Sequence, residues 1–243
     1  MHHFLAALRS ALFYLATAIT VVLFTTALFI FLPLPFRYGR KQISRTWAKL
    51  IMHLGSLICG MKVKFVGLEH CPSTPAVYLL KHQSAWETMT LLGVLPPNCA
   101  VAKESLLNIP LFGWSMRMAK AIPINRTAGM GAFKKIIALG KNRITEGLSI
   151  LIFPEGTRVP PGEHPRFHKT AAILAKEAGV PVVPVAHNSG SCWRRNSFLK
   201  YPGLITVVIG KPIDSQSMSS SALNNMVYEW IKTEMIKLEG STP

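Results

Sequence analysis

The 243 residues predict an α/β domain, a mixed sheet flanked by helices, preceded by an N-terminal membrane-anchoring helical segment. Two observations carry this reading. After Gly60, short runs rich in β-branched residues alternate with stretches of helical periodicity, the signature of a largely parallel or mixed sheet covered by helices. Before Gly60 there is no acidic residue, and an uncharged apolar run is long enough for a bilayer. The chain therefore divides at residues 1–60, the anchor helices, and 61–243, a single domain with ample length for a core.

Taken in order, the first element is the uncharged run from Ser10 to Phe36. A bilayer span needs about 20 apolar residues, whereas the apolar core of a signal peptide is typically about 7–15 residues and ends in a small-residue cleavage site. Here the run ends in Leu32-Pro33-Leu34-Pro35-Phe36, and Arg37 opens a basic cluster. An uncleaved anchor is expected, with the basic, C-terminal side in the cytoplasm. This gives a cytoplasmic (inner) membrane location with the following domain on the cytoplasmic side. From Gly39 to Cys59, basic residues interleave with Ile43, Trp47, Leu50, Ile51, Leu54 and Leu57 at helical spacing. This second helix suits either the membrane interface or packing on the domain, and the first helix can lie half-inserted beside it instead of crossing.

The net charge of +16 asks for an anionic partner. Arg9, Arg37, Arg40, Lys41, Arg45, Lys49, Lys62 and Lys64 all precede the first acid, Glu69. A basic, acid-free stretch beside an apolar segment favours anionic membrane lipid over nucleic acid, and no nucleic-acid-binding signature accompanies it. The four cysteines, Cys59, Cys71, Cys99 and Cys192, form no C-x-x-C pair. Neither a disulfide framework nor a zinc site is expected, and a reducing compartment fits.

Predicted strands cover Lys62–Val66, Ala76–Leu80, Cys99–Ala102, Leu148–Phe153, Val180–Val185 and Leu204–Ile209. Predicted helices cover Ala85–Gly93, Ile109–Ala119, Gly131–Glu146, Thr170–Ala178 and Ser221–Leu238. The strand Ala76–Leu80 runs directly into Lys81-His82-Gln83-Ser84-Ala85-Trp86-Glu87, which puts His82 at a carboxyl end of a strand, where open α/β sheets hold their ligands. Five helical positions leave two side chains some 140° apart, so His82 and Glu87 meet only if His82 lies outside the helix and Glu87 in its first turn. A neutral imidazole oriented by a carboxylate suits proton abstraction near neutral pH. Ser84 and Glu87 also read as a capping box, in which Glu87 serves the Ser84 amide instead.

The second loop is Phe153-Pro154-Glu155-Gly156-Thr157-Arg158, where Pro154 ends a strand and Gly156 permits a tight turn. Arg158 has the forked geometry that suits phosphate, or it pairs locally with Glu155 or Glu163. Lys103 and Arg126 also follow strand-like runs and are candidates for the same anion site. Gly129-Met130-Gly131 lacks the third glycine of a dinucleotide fingerprint. His164 and His168 are four apart but lack an evident third ligand, so no metal is expected. The absence of G-x-S-x-G leaves a hydrolase-type serine nucleophile unsupported.

These residues resemble the glycerolipid acyltransferase family, in particular its bacterial 1-acylglycerol-3-phosphate acyltransferases. The family's His-x4-Asp block is matched by His82 to Glu87, with Glu in place of Asp. A second block is matched by Lys103-Glu104-Ser105-Leu106 with Pro110, Gly113 and Ile122 through Arg126. The third is Phe153 through Arg158, and the fourth is Val180-Pro181-Val182-Val183-Pro184-Val185. The resemblance implies acyl transfer from acyl-CoA or acyl carrier protein to the free hydroxyl of lysophosphatidate, giving phosphatidate for phospholipid synthesis. It implies His82 as base, Glu87 as its orienting acid, and Lys103, Arg126, Glu155, Gly156, Thr157 and Arg158 around the substrate. No metal, cofactor or acyl-enzyme is implied. Lys81 stands where the family usually has Asn, and Thr170 where glycine is common. Another lysolipid acceptor, such as a lyso-ornithine lipid, and a non-enzymatic anionic-lipid-binding protein are the competing readings.

Overall fold

A computed structural model describes residues 2–30 and 40–240. The end of the uncharged run and the first basic residues after it, residues 31–39, lie outside the described residues.

Helix α1 (His2–Ile30) contains neither proline nor glycine and, apart from its first residues and Arg9, is predominantly apolar. One stripe, Ala6, Ser10, Phe13, Thr20, Thr25 and Leu28, is buried against the rest of the protein, while Phe4, Leu8, Leu12, Leu15, Ile19 and Leu23 are exposed. Contacts fix the buried stripe from end to end. The Lys200 amide donates to Ser10 Oγ at 2.9 Å. Trp47 Nε1 donates to Thr20 Oγ1 at 3.1 Å, and the hydroxyls of Thr25 and Ser115 lie 2.7 Å apart. Helix α2 (Arg40–Cys59) has the predicted amphipathic character and packs between α1 and α3 (Trp86–Val94). Gly93 makes that approach possible, because a Cβ there would collide with the Cβ of Ala48 and the carbonyl of Ser44. Lys41 Nζ closes the joint by donating to the Leu92 and Leu95 carbonyls at 2.8 and 2.7 Å, where the C-terminus of α3 leaves acceptors open.

The main domain continues through β1 (Met61–Val66), β2 (Val77–Leu80), β3 (Asn98–Lys103), α4 (Phe112–Met118), β4 (Ile122–Ile124) and α5 (Met130–Thr145). It ends with β5 (Ser149–Ile152), α6 (Thr170–Ala178), β6 (Val182–His187), α7 (Ser189–Cys192), β7 (Gly203–Ile209) and α8 (Ser220–Gly240). The seven strands run in the order β1-β7-β6-β2-β5-β3-β4. All neighbouring pairs are parallel except β6 with β7, so the sheet is mixed as expected.

All six predicted strands are present within two residues of their expected ends. One strand and one α-helix were not anticipated. Strand β4 is three residues long with Pro123 at its centre; it pairs only with β3 at the sheet edge, the one place where proline costs no ladder bond. Helix α7 is a single turn. Helix α4 begins three residues later than its pattern suggested, since Pro110 precedes Leu111, which takes a positive φ of 63°.

Alternation along the buried strands divides the core in two. Tyr78, Leu80, Val183 and Val185 face Phe13, Ile51 and Trp86 of the first three helices. Val77, Leu79, Ile150 and Ile152 face Leu174, Leu223, Val227 and Ile231 on α6 and α8. Strands β6, β2 and β5 are adjacent, parallel and covered on both faces, so the loops at their carboxyl ends emerge side by side.

Candidate active site

His82 sits two residues beyond β2 and outside α3, while Glu87 is in the first turn of that helix. The carboxylate leans back, and His82 Nδ1 lies 2.8 Å from Glu87 Oε1. The same oxygen accepts the amides of Gln83 at 2.9 Å and Ser84 at 2.8 Å. One carboxylate therefore serves both the imidazole and the amides at the helix start, so the two readings of Glu87 hold together. Ser84 Oγ accepts the Trp86 amide at 2.8 Å, completing the start of α3.

Burial works to raise the Glu87 pKa, but the His82 bond, the nearby imidazoles and the Ser84 amide overcome it and hold the group at about 2. As an ionised carboxylate it can only accept, so His82 Nδ1 is the donor and the basic lone pair of the neutral ring is on Nε2. The imidazole stacks on Phe153 at 4.1 Å between centroids, with 23° between the ring planes. The His82 carbonyl accepts the Val159 amide at 2.8 Å, which ties the first loop to the second.

Glu155 does not face outward. Its side chain is 0% exposed, and Oε1 lies 3.0 Å from Lys81 Nζ, itself 2% exposed. Burial pushes the Glu155 carboxyl up to about 7, against the opposing pull of Lys81. Lys81 Nζ also donates to the Glu163 carbonyl at 2.9 Å. Glu155, expected beside the substrate, thus lies beneath the loops, joined to the Lys81 that replaces the family's usual asparagine. Gly156 takes a φ of 70°, the left-handed conformation expected of this turn, and its amide donates to the Phe153 carbonyl at 3.0 Å. Thr157 is exposed.

Arg158 forms no ion pair with Glu155 or Glu163 among the described residues, so the local-pair alternative is not realised. It lines a groove of about 460 Å³ together with Tyr14, Thr17, Ala85, Met89, Trp193, Arg194, Arg195 and Phe198. Arg195 Nη1 donates to the Arg158 carbonyl at 2.8 Å, and Arg158 Nε is buried without a hydrogen-bond partner. The groove joins the loop that carries the catalytic candidates to α1, and it combines apolar walls with three guanidinium groups.

Lys103 is exposed at the carboxyl end of β3, two strands from β2 in the sheet order, a backbone separation of about 10 Å. Arg126 follows β4, one strand further out; its side chain lies outside the described residues. Both lie at or just after the carboxyl ends of strands parallel to β2, at the end of the sheet that carries His82.

Sequence reasoning missed the residues contributed by the end of β6. His187 is fully buried, and its Nε2 lies 2.7 Å from the Lys81 carbonyl. Burial lowers its pKa, so the ring is neutral, Nε2 donates to that carbonyl, and Nδ1 is left to accept the Ser189 amide at 3.4 Å. Ser189 Oγ donates to Glu87 Oε2 at 2.9 Å, and the Gly190 amide donates to Gln83 Oε1 at 3.1 Å. The fourth block marked the strand, but only the strand order sets its end beside His82. Arg194 and Arg195 were legible as an adjacent basic pair and were not singled out.

The acyltransferase family matches residues 62–188 of the chain. A 1-acyl-sn-glycerol-3-phosphate acyltransferase from Pseudomonas aeruginosa is 36% identical over 236 residues, covering 96% of this chain and 92% of that protein. The enzyme of the same name from Cocos nucifera is 27% identical, covering 92% of this chain and 72% of its own length. Among solved structures, the 1-acyl-sn-glycerophosphate acyltransferase PlsC from Thermotoga maritima shares the fold over the whole of both chains, with a TM-score of 0.84 at 24% identity. With a domain match over more than half its length and a relative of nearly its own size, the chain belongs to the acyltransferase family.

Proposed function

We propose that the protein transfers a fatty acyl group from a thioester donor, acyl-CoA or acyl carrier protein, to the free hydroxyl of lysophosphatidate, giving phosphatidate for phospholipid synthesis. The observation that carries this reading is the His82–Glu87 pair at 2.8 Å, at the carboxyl end of β2, where the Phe153–Arg158 loop after β5 and the end of β6 lie on either side of it. The names of full-length relatives supply the acceptor.

In this mechanism Nε2 of His82 takes the proton of the acceptor hydroxyl as its oxygen attacks the thioester carbonyl. Glu87, ionised and fixed by two backbone amides, stabilises the imidazolium that forms. Collapse of the tetrahedral intermediate breaks the carbon–sulfur bond, and the imidazolium returns its proton to the leaving thiolate. The acyl group is never attached to the protein. Arg158, with its unpartnered buried Nε, is the group we assign to the acceptor phosphate, with Lys103 and Arg126, at or just after the carboxyl ends of β3 and β4, as further candidates. Gly156 supplies the turn that presents Thr157 and Arg158, and Glu155 acts beneath them by holding Lys81.

A membrane association suits α1, whose stretch His3–Ile30 contains an 18-residue window with a mean hydropathy of 2.1. Docking along one face leaves a continuous apolar outer face. The reading is a helix embedded by that face, lying with α2 on the cytoplasmic side of the inner membrane, where basic α2 meets anionic head groups.

The deciding experiment is an acyltransferase assay with lysophosphatidate on the detergent-purified wild type and on His82→Ala. Transfer by the wild type, lost by at least a thousandfold in the folded variant, is the expected result. Transfer to a lyso-ornithine lipid but not to lysophosphatidate would overturn the acceptor. Equal activity of His82→Ala would overturn the mechanism.

A further inference from the structure

The carboxylate that orients His82 is one methylene longer than the aspartate usual at this position, and its second oxygen has to be accounted for. Oε1 is saturated by His82, Gln83 and Ser84. Oε2 is directed the other way, toward the end of β6, where it accepts from Ser189 Oγ at 2.9 Å. Both partners are closed off from water, with Glu87 1% and Ser189 0% exposed. An ionised oxygen left without a donor there would carry a desolvation penalty with nothing to offset it.

Resting on the proposed reaction, we infer that Ser189 is a positioning residue for catalysis: it anchors the distal oxygen of Glu87 and so makes glutamate serviceable where aspartate is usual. Without that anchor the extra side-chain torsion lets the carboxylate rotate away from Nδ1. With it, the carboxylate is held from both ends, by the first loop on Oε1 and by α7 on Oε2.

Ser189 is in turn held firmly. Its amide donates to His187 Nδ1 at 3.4 Å, while His187 Nε2 donates to the Lys81 carbonyl one residue before His82. The Gly190 amide holds the side chain of Gln83 one residue after it. His187 at the end of β6, with Ser189 and Gly190 just after it, thus holds the residue before the imidazole, the carboxylate that orients it and the residue after it. Shape adds to this, since a Cβ at Gly190 would press on the Gln83 side chain at 3.1 Å.

The test is a double-mutant cycle read in steady-state kinetics with lysophosphatidate and acyl-CoA. Ser189→Ala is expected to lower kcat roughly tenfold or more, the scale of one hydrogen bond to a charged group. Both KM values should stay within twofold, because Ser189 touches no substrate. Ser189→Thr keeps the hydroxyl and is expected to retain most of kcat. Ser189→Cys keeps the volume but offers only a weak donor, so it should fall with alanine; it carries the test if alanine prevents folding. In a Glu87→Asp background the shorter carboxylate cannot reach both His82 and Ser189, so Ser189→Ala should there cost less than twofold. An equal loss in both backgrounds, a loss confined to KM, or a wild-type kcat in Ser189→Ala would each overturn the inference. An inactive wild type refutes the proposed reaction, whereas an active wild type with an indifferent Ser189→Ala refutes this inference alone.

Discussion

Replacing Glu87 by glutamine removes one charge and almost nothing else. The amide oxygen can occupy the place of Oε1 and accept from His82 Nδ1 and from the Gln83 and Ser84 amides. The amide nitrogen then faces Ser189, whose hydroxyl can turn from donor to acceptor. The helix start and the loop therefore survive, and the loss falls on the imidazolium formed during proton transfer. Two unit charges about 4 Å apart at an effective dielectric constant of about 20 attract by about 4 kcal/mol. A neutral amide recovers at most half of this through its own hydrogen bond, which leaves a loss of about 2–4 kcal/mol, or roughly 30- to 1,000-fold in kcat. The assay is kcat at saturating lysophosphatidate and acyl-CoA, alongside thermal unfolding to verify the fold. Glu87→Asp should retain more activity than Glu87→Gln, since it keeps the charge. The same substitution has a stability signature. A carboxyl held at about 2 instead of its ordinary 4.5 stabilises the folded protein above pH 4.5 by about 3 kcal/mol, and this is lost as pH falls through 2. Acid unfolding should accordingly be less steep between pH 4.5 and 2 in Glu87→Gln. If the folded glutamine variant turns over within threefold of wild type, the carboxylate serves only the helix start and the catalytic argument fails.

Three further outcomes test other parts of the structure. Lys81→Met leaves Glu155 buried without its cation and should cost about 3–5 kcal/mol, a fall in Tm of roughly 6–20 °C in calorimetry, with much of it restored by the double change to Lys81→Met and Glu155→Leu. Arg158→Ala should raise the KM for lysophosphatidate roughly tenfold or more while the KM for the thioester donor stays near wild type; equal rises in both would remove Arg158 from the acceptor phosphate. Gly93→Val drives a side chain into Ala48 and the Ser44 carbonyl, so it should separate α2 from α3 and lower stability by about 2 kcal/mol or more in chemical unfolding.

The elements most legible in the sequence are those whose signal is local. Thr170–Ala178 matches its predicted bounds, and the buried strands β2 and β5 are apolar runs bounded within two residues by proline, glycine or lysine. Strand β4 escaped because three residues around a proline hold no periodicity. The catalytic candidates were legible for a similar reason, since His82 and Glu87 are joined across five residues of a loop and one helical turn. The direction of Glu155 was not. A glutamate in a Pro-Glu-Gly turn reads as exposed until Lys81, seventy-four positions earlier, is seen to occupy the space beneath it.

By itself, then, the sequence determined the α/β class, the apolar N-terminal helix, the four blocks and the chemical types at the site. These follow from hydrophobic periodicity and from the small set of residues able to move a proton or hold a phosphate. The tertiary structure decided which of those residues meet. Placing β6 beside β2 is a choice of strand order, which no local pattern encodes, and it alone brings His187, Ser189 and Gly190 around the His82 loop. It also decided that α1 lies along the domain instead of standing apart from it. Which face of a predominantly apolar helix is covered depends on the partners it finds, here Trp47, Ser115 and the Lys200 segment, more than on its own periodicity.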